Sequence, residues 1–141
     1  MIMVQAGSEV PKLTVMCNGS FGAGNYGMCG RAFDARLMFS WPNSQISVMG
    51  ADQAAGTLTD IKVRQLERDG QELLAEERGA IHQSIADEYG MQSSAYYATS
   101  ELWDDGMIDP VDTRGALGIA IASSMNAPVG DGSHNYGTLR F

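Results

Sequence analysis

The sequence predicts an α/β fold, and three observations carry that prediction. An apolar run, Leu13-Thr14-Val15-Met16-Cys17, introduced by Val10-Pro11-Lys12, reads as a buried strand that feeds a glycine-rich loop. A second short run, Gln45-Ile46-Ser47-Val48-Met49, alternates in polarity as a strand and leads through Gly50 into a helix of small residues. The second half of the chain is patterned as helices separated by cap and stop signals.

In chain order, Ile2 to Gln5 read as the tail of a helix whose beginning is absent. The strand Leu13–Cys17 follows, and then the loop from Asn18 to Arg31, with five glycines, Gly19, Gly22, Gly24, Gly27 and Gly30. So many residues without a Cβ imply backbone that turns sharply or comes close to something bulky. A strand that ends in such a turn and opens a helix points N–H groups outward with the helix dipole behind them, which stabilises negative charge. Arg31 to Phe39 is moderately apolar, and Ser40-Trp41-Pro42-Asn43 breaks it.

After the strand at 45–49, a helix runs from Asp52 to about Leu66, in which Ala54, Ala55 and Gly56 allow close packing, and Asp69-Gly70 turns the chain. An amphipathic helix from about Glu72 to Tyr89 places Leu74, Ile81 and Ile85 on one face and ends at Gly90. Ser93 or Ser94 caps a short helix through Trp103, which Asp104-Asp105-Gly106 closes. Met107-Ile108 is a brief extended step. Asp109 then suits an N-cap and Pro110 the first helical position of a last helix that runs to about Met125 and stops at Asn126-Ala127-Pro128. The glycine-rich tail to Phe141 reads as irregular.

At 141 residues and 44% hydrophobic content the chain is one domain or part of one, with a real core. A formal net charge of −8 argues against a nucleic-acid surface, and no apolar run is long enough to span a membrane. Met1 to Gln5 carries neither a basic region nor a cleavage site, and Cys17 and Cys29 have no metal-ligand spacing, so a reduced, intracellular compartment is expected.

Gly22-x-Gly24-x-x-Gly27 after a strand formally matches the dinucleotide fingerprint, with Asp52 near the distance of a ribose ligand. The match is weak, because Trp41-Pro42 breaks the segment where the helix of that motif should continue, and no alternation of strands with crossover helices is seen after Val48. No nucleophile–base pair stands out. His82 and His134 read as surface residues, Cys29 as a packing residue, and Asp104 and Asp105 as turn and cap residues. What remains is anion or oxyanion stabilisation by the backbone amides of the glycine loop.

Several stretches are nevertheless specific. Gly19-Ser20-Phe21-Gly22-Ala23-Gly24-Asn25-Tyr26-Gly27-Met28-Cys29-Gly30-Arg31-Ala32-Phe33, then Trp41-Pro42-Asn43, Ile46-Ser47-Val48-Met49-Gly50, Gln53-Ala54-Ala55, Leu102-Trp103-Asp104-Asp105-Gly106-Met107-Ile108-Asp109-Pro110, Thr113-Arg114 and Asn126-Ala127-Pro128 follow one another in order. They closely resemble the carboxyltransferase subunits of biotin-dependent acyl-CoA carboxylases. Within that family they are most similar to the beta subunits acting on 3-methylcrotonyl-CoA, with geranyl-CoA carboxylase as a near relative. Gly7-Ser8-Glu9 and Gln92-Ser93-Ser94 depart from the family pattern, the second within what reads as a loop.

The resemblance implies a crotonase-like fold and makes residues 1–141 the C-terminal portion of the family's C-domain, with the N-domain absent. It further implies that carboxybiotin gives up CO2, that the resulting biotin enolate takes a proton from the acyl-CoA, and that the carbanion so formed attacks the CO2. The protein supplies position and one oxyanion hole for each enolate. By resemblance the backbone N–H groups of Ala23 and Gly24 form the biotin-side hole, Phe21 and Gly22 bind substrate beside it, and Tyr26 lies next to the acyl group and helps select it. The implied cofactor is biotin on a separate carrier domain or subunit, with no metal in this chain. The implied partners are an acyl-CoA, a biotinylated alpha subunit and further copies of the beta subunit, in the bacterial cytoplasm or the mitochondrial matrix. Alternatives are an inactive fragment that keeps only subunit-packing surfaces and, remotely, a dinucleotide-binding domain.

Overall fold

The computed structural model describes residues 1–8, 10–33, 35–70 and 74–128. Its strands form two small sheets, and each sheet is parallel throughout. Helix α1 (Ile2–Gly7) precedes β1 (Leu13–Met16), and β2 (Gly19–Phe21) runs directly into α2 (Gly22–Gly27). After a 3-10 turn at Arg31–Phe33 come β3 (Leu37–Ser40) and β4 (Gln45–Ser47). One sheet has the order β1-β3-β5, with Val15 opposite Phe39, and the other pairs β2 with β4, with Ser20 opposite Ile46.

This arrangement makes the chain climb. It passes from the first sheet to the second within two residues after β1, and it repeats the step at the level above after β3. The corners are tied to each other: Trp41 N–H donates to Met16 C=O at 2.9 Å, and Asn43 Nδ2 donates to Cys17 C=O at 3.0 Å. Parallel pairs require a crossover, and α2 with its following turn supplies it for both sheets.

The expected strand at 13–17 and the expected strand at 45–49 are both present, each slightly shorter. The glycine loop is more ordered than its composition suggests. Its first residues are the strand β2, and α2 begins inside it. Arg31–Phe39, whose pattern points to no single element, contains β3.

Helices α3 (Ala51–Arg68) and α4 (Ala75–Gln92) pack against each other after the turn at Asp69-Gly70. Ala54 and Ala55 are fully buried, as close packing of small residues requires. Arg78 and Asp60 make an ion pair at 2.6 Å between the helices, half-exposed on both sides and therefore worth about 0–1 kcal/mol. Gly90 does not end α4: the helix runs on to Gln92, Gly90 is absent from the positive-φ residues, and the Ser93 hydroxyl donates to Gly90 C=O at 3.0 Å. The expected apolar face is also weaker than the sequence suggests. No residue of α4 is buried, and Leu74 stands before the helix, exposed, its N–H donating to Glu77.

Gln92-Ser93-Ser94 is more than a loop. Ser93 C=O accepts from Ile46 N–H at 2.8 Å, Ser44 C=O accepts from Ala95 N–H at 3.1 Å, and the Ser94 hydroxyl caps α5 (Ala95–Ser100) by accepting from Tyr97 N–H. These bonds fasten α5 to the edge of β4. That helix stops at Ser100, short of Trp103, because Leu102 takes a left-handed φ of 56°.

β5 (Gly106–Met107), the one strand after Val48 among the described residues, falls at the expected extended step and pairs with β3, with α3 to α5 lying between the two in the chain. Asp109 caps the 3-10 turn Pro110–Asp112 through Val111 N–H, as expected, and α6 (Thr113–Ser124) follows. Met16, Met38, Ile46 and Ala98 form the core, with Ala35 and Trp103 packed on it. The expected irregular tail beyond Pro128, with His134, and the expected helix start at Glu72 lie outside the described residues.

Candidate functional site

The site is built on the turn from β2 into α2. Gly22 there has a φ of +49°, a conformation L side chains rarely adopt, and a Cβ on it would come to 3.0 Å from Val48 C=O. Only glycine lets β2 end so sharply beside β4. Asn25 then locks the helix in place: its Nδ2 donates to Ser20 Oγ at 2.8 Å, its C=O accepts from Gly30 N–H at 2.8 Å, and its side chain lies where a Cβ on Gly30 would stand.

Ala23 and Gly24 sit in the first turn of α2, where N–H groups have no partner within the helix. Both are exposed, and nothing stands within 4 Å of a Cβ built on Gly24. Phe21 is half-buried, its ring folded back over Gly19. Tyr26 points onto Phe33 edge-to-face at 5.8 Å and keeps 47% of its surface exposed.

That exposed part of Tyr26 lines an open, largely apolar cleft of about 580 Å³. Gly22, Val48, Tyr89 and Trp103 are among its other walls. Of the five residues singled out from the sequence, Gly22 and Tyr26 line the cleft. Phe21, Ala23 and Gly24 adjoin it along the chain at the head of α2.

Arg31, Tyr89, Gln92 and Trp103 also line it, and the sequence reading gives none of them a role at the site. Arg31 stacks on the Trp103 ring with its Cζ 4.8 Å from the ring centroid, and Tyr97 braces Trp103 edge-on at 5.6 Å. The available signal is that Arg31 and Trp103 both stand in stretches that carry the resemblance; their meeting across the chain is a product of the fold.

The remaining candidates behave structurally. Cys29 is buried with its C=O accepting from Thr14 Oγ1 at 2.8 Å, and it follows α2 rather than heading it. Asp104 and Asp105 bond to β3 residues and their neighbours. His82 is half-buried where α4 meets Gly56 and Thr59 of α3. Among the described residues no helix is long and apolar enough to cross a membrane.

Residues 1–137 match the carboxyl transferase domain family. The chain is 40% identical over 140 residues to the mitochondrial methylcrotonoyl-CoA carboxylase beta chain of Dictyostelium discoideum, covering 99% of this chain and 24% of that one. It is 46% identical over 129 residues to the biotin-dependent 3-methylcrotonyl-coenzyme A carboxylase beta1 subunit of Mycobacterium tuberculosis, covering 92% of this chain and 24% of that subunit. The crystal structure of the geranyl-CoA carboxylase beta subunit of P. aeruginosa superposes with a TM-score of 0.76 at 38% identity, over 99% of this chain and 26% of that one. The chain thus spans about a quarter of the length of the curated relatives it matches.

Proposed function

The chain belongs to the carboxyl transferase domain family, and on that premise we propose that it forms the biotin-side part of a site that moves CO2 from carboxybiotin to an acyl-CoA, 3-methylcrotonyl-CoA in the first instance. Its fold is that of the crotonase-like carboxyltransferases, of which the geranyl-CoA carboxylase beta subunit is a structural neighbour. The observation that carries the reading is that Ala23 and Gly24, both exposed in the first turn of α2, adjoin a mostly apolar cleft walled by Tyr26.

Biotin, borne on a separate carrier domain or on a biotinylated alpha subunit, supplies the CO2 and accepts a proton when bound. The residues present suit it, since Ala23 and Gly24 are exposed and a Cβ on Gly24 would meet open space. Ala23 and Gly24 hold developing negative charge with fixed amides that need no reorganisation. The aromatic and aliphatic walls, Tyr26, Val48, Tyr89 and Trp103, exclude water from a flat branched acyl chain and orient it. Phe21 and Gly22 set the angle at which α2 presents its amides. On this reading residues 1–141 are the C-terminal portion of the C-domain of a subunit that works in the bacterial cytoplasm or the mitochondrial matrix, alongside further copies of itself.

The test is transfer of labelled bicarbonate by a complete carboxylase that contains this chain, offered 3-methylcrotonyl-CoA, geranyl-CoA and propionyl-CoA. Label is expected on the first above the others, and its absence from all three acyl groups would end the proposal.

A further inference from the structure

Among the described residues that line the cleft, Arg31 alone carries a charge. The ion pair among the described residues, Arg78–Asp60, lies between α3 and α4 and does not involve Arg31. The guanidinium is held instead by an aromatic face, 4.8 Å above the Trp103 ring. A cation–π contact of that kind steadies a guanidinium without consuming its N–H donors. A planar fork of donors at the rim of an apolar cleft matches one ligand chemistry above others, a carboxylate bound through two parallel hydrogen bonds.

Resting on the carboxyltransfer reading above, we propose that Arg31 binds the carboxylate group in transit, steadied over Trp103 and lining the same cleft as Tyr26. That carboxylate has two sources, the carboxylated biotin before transfer and the carboxylated acyl chain after it. The uncarboxylated acyl-CoA offers Arg31 nothing to bind. Arg31 therefore separates ligands that carry the group from ligands that lack it, whereas a merely structural arginine affects all of them together.

The experiment uses the complete carboxylase with Arg31→Gln and Arg31→Lys. One arm measures inhibition by carboxylated 3-methylcrotonyl-CoA, and a second measures the Michaelis constant for the carboxylated biotin carrier in decarboxylation. A control measures the Michaelis constant for the uncarboxylated thioester, 3-methylcrotonyl-CoA. Arg31→Gln is expected to weaken at least one carboxylated ligand by roughly ten- to a hundredfold, the usual size for a hydrogen bond to a charged group, and to leave the control within about twofold. Arg31→Lys, which keeps the charge and loses the fork, recovers part of the loss. An effect confined to one arm identifies which source Arg31 holds. If the Gln variant does not fold, the parental enzyme is tested with the carboxamide analogue of the carboxylated thioester, which should bind weaker than the carboxylate by the same factor. Equal shifts in all three measurements, no shift in either carboxylated arm, or equal binding of carboxamide and carboxylate overturns the inference alone. A parent that labels no acyl-CoA overturns the functional reading, and this one with it.

Discussion

The Ser40 hydroxyl donates a hydrogen bond to the Asp104 carboxylate across 64 positions of sequence. Ser40 is completely buried at the end of β3, and Thr99 on α5 donates to the same carboxylate at 3.0 and 3.1 Å. Next to it, Asp105 accepts from Met38 N–H at 2.7 Å. Two adjacent aspartates thus fasten the entry to β5 onto β3. Replacing Asp104 by Ala strands a buried hydroxyl and removes a charge-assisted acceptor, for a loss of about 2–4 kcal/mol; Ser40→Ala removes one donor and costs about 1–2 kcal/mol. Urea unfolding of the two variants checks the order, and a milder Asp104→Ala would show that the network is incidental.

At the head of α2 the contribution of a single N–H is separable from the shape of the loop. Gly24→Pro would delete the donor but also constrain φ, so an amide-to-ester replacement at Gly24 is the cleaner change. In the complete enzyme it is expected to slow decarboxylation of carboxybiotin by roughly a hundred- to a thousandfold, with acyl-CoA affinity unchanged. Decarboxylation at the parental rate would make the loop a packing turn.

Tyr26 offers a test of acyl choice. Its ring leans on Phe33, and the residue lines the cleft. Tyr26→Asp is predicted to lower kcat/KM with 3-methylcrotonyl-CoA at least tenfold more than with propionyl-CoA, since a charge then replaces a ring beside a larger apolar chain. Parallel losses would show that Tyr26 does not select.

The chain by itself should transfer no label. Among the described lining residues Arg31 is the sole cation, too little to hold the several phosphates of a coenzyme A. It should also self-associate, because Ile119, Ile121 and Met125 of the α6 segment and Met1 to Val4 of the first helix leave large apolar side chains exposed. Product from the isolated chain, or a clean monomer by light scattering at high concentration, would contradict these expectations.

Local chemistry makes some elements legible in the sequence and hides others. Asp109 before Pro110 is readable to the residue, and the cap of α5 to one of two serines, Ser93 or Ser94, because a cap is a contact between near neighbours. Strand β3 is not, since its inward positions are Met38 and Ser40, and a buried serine erases the apolar alternation that marks a strand. Strand β2 is three residues long and starts at a glycine, which lowers strand propensity. At the site, resemblance singles out Tyr26 and the glycines, whereas the arrival of Tyr89, Gln92 and Trp103 beside them depends on long-range pairing that no local pattern encodes.

Parallel pairing throughout has a consequence for how the chain acquires its shape. With no hairpin among the described residues to seed either sheet, each strand pair must wait for the loop between its members to close, and Met38 meets Asp105 only across 67 positions. Contacts of such high sequence separation slow folding, while the α3–α4 pair depends on near neighbours and can form early. The docking of β5 is thereby expected late, and until it happens Arg31 does not meet Trp103. On this order the cleft completes late, and a lesion at Asp104 or Asp105 should delay its appearance more than it disturbs the helices.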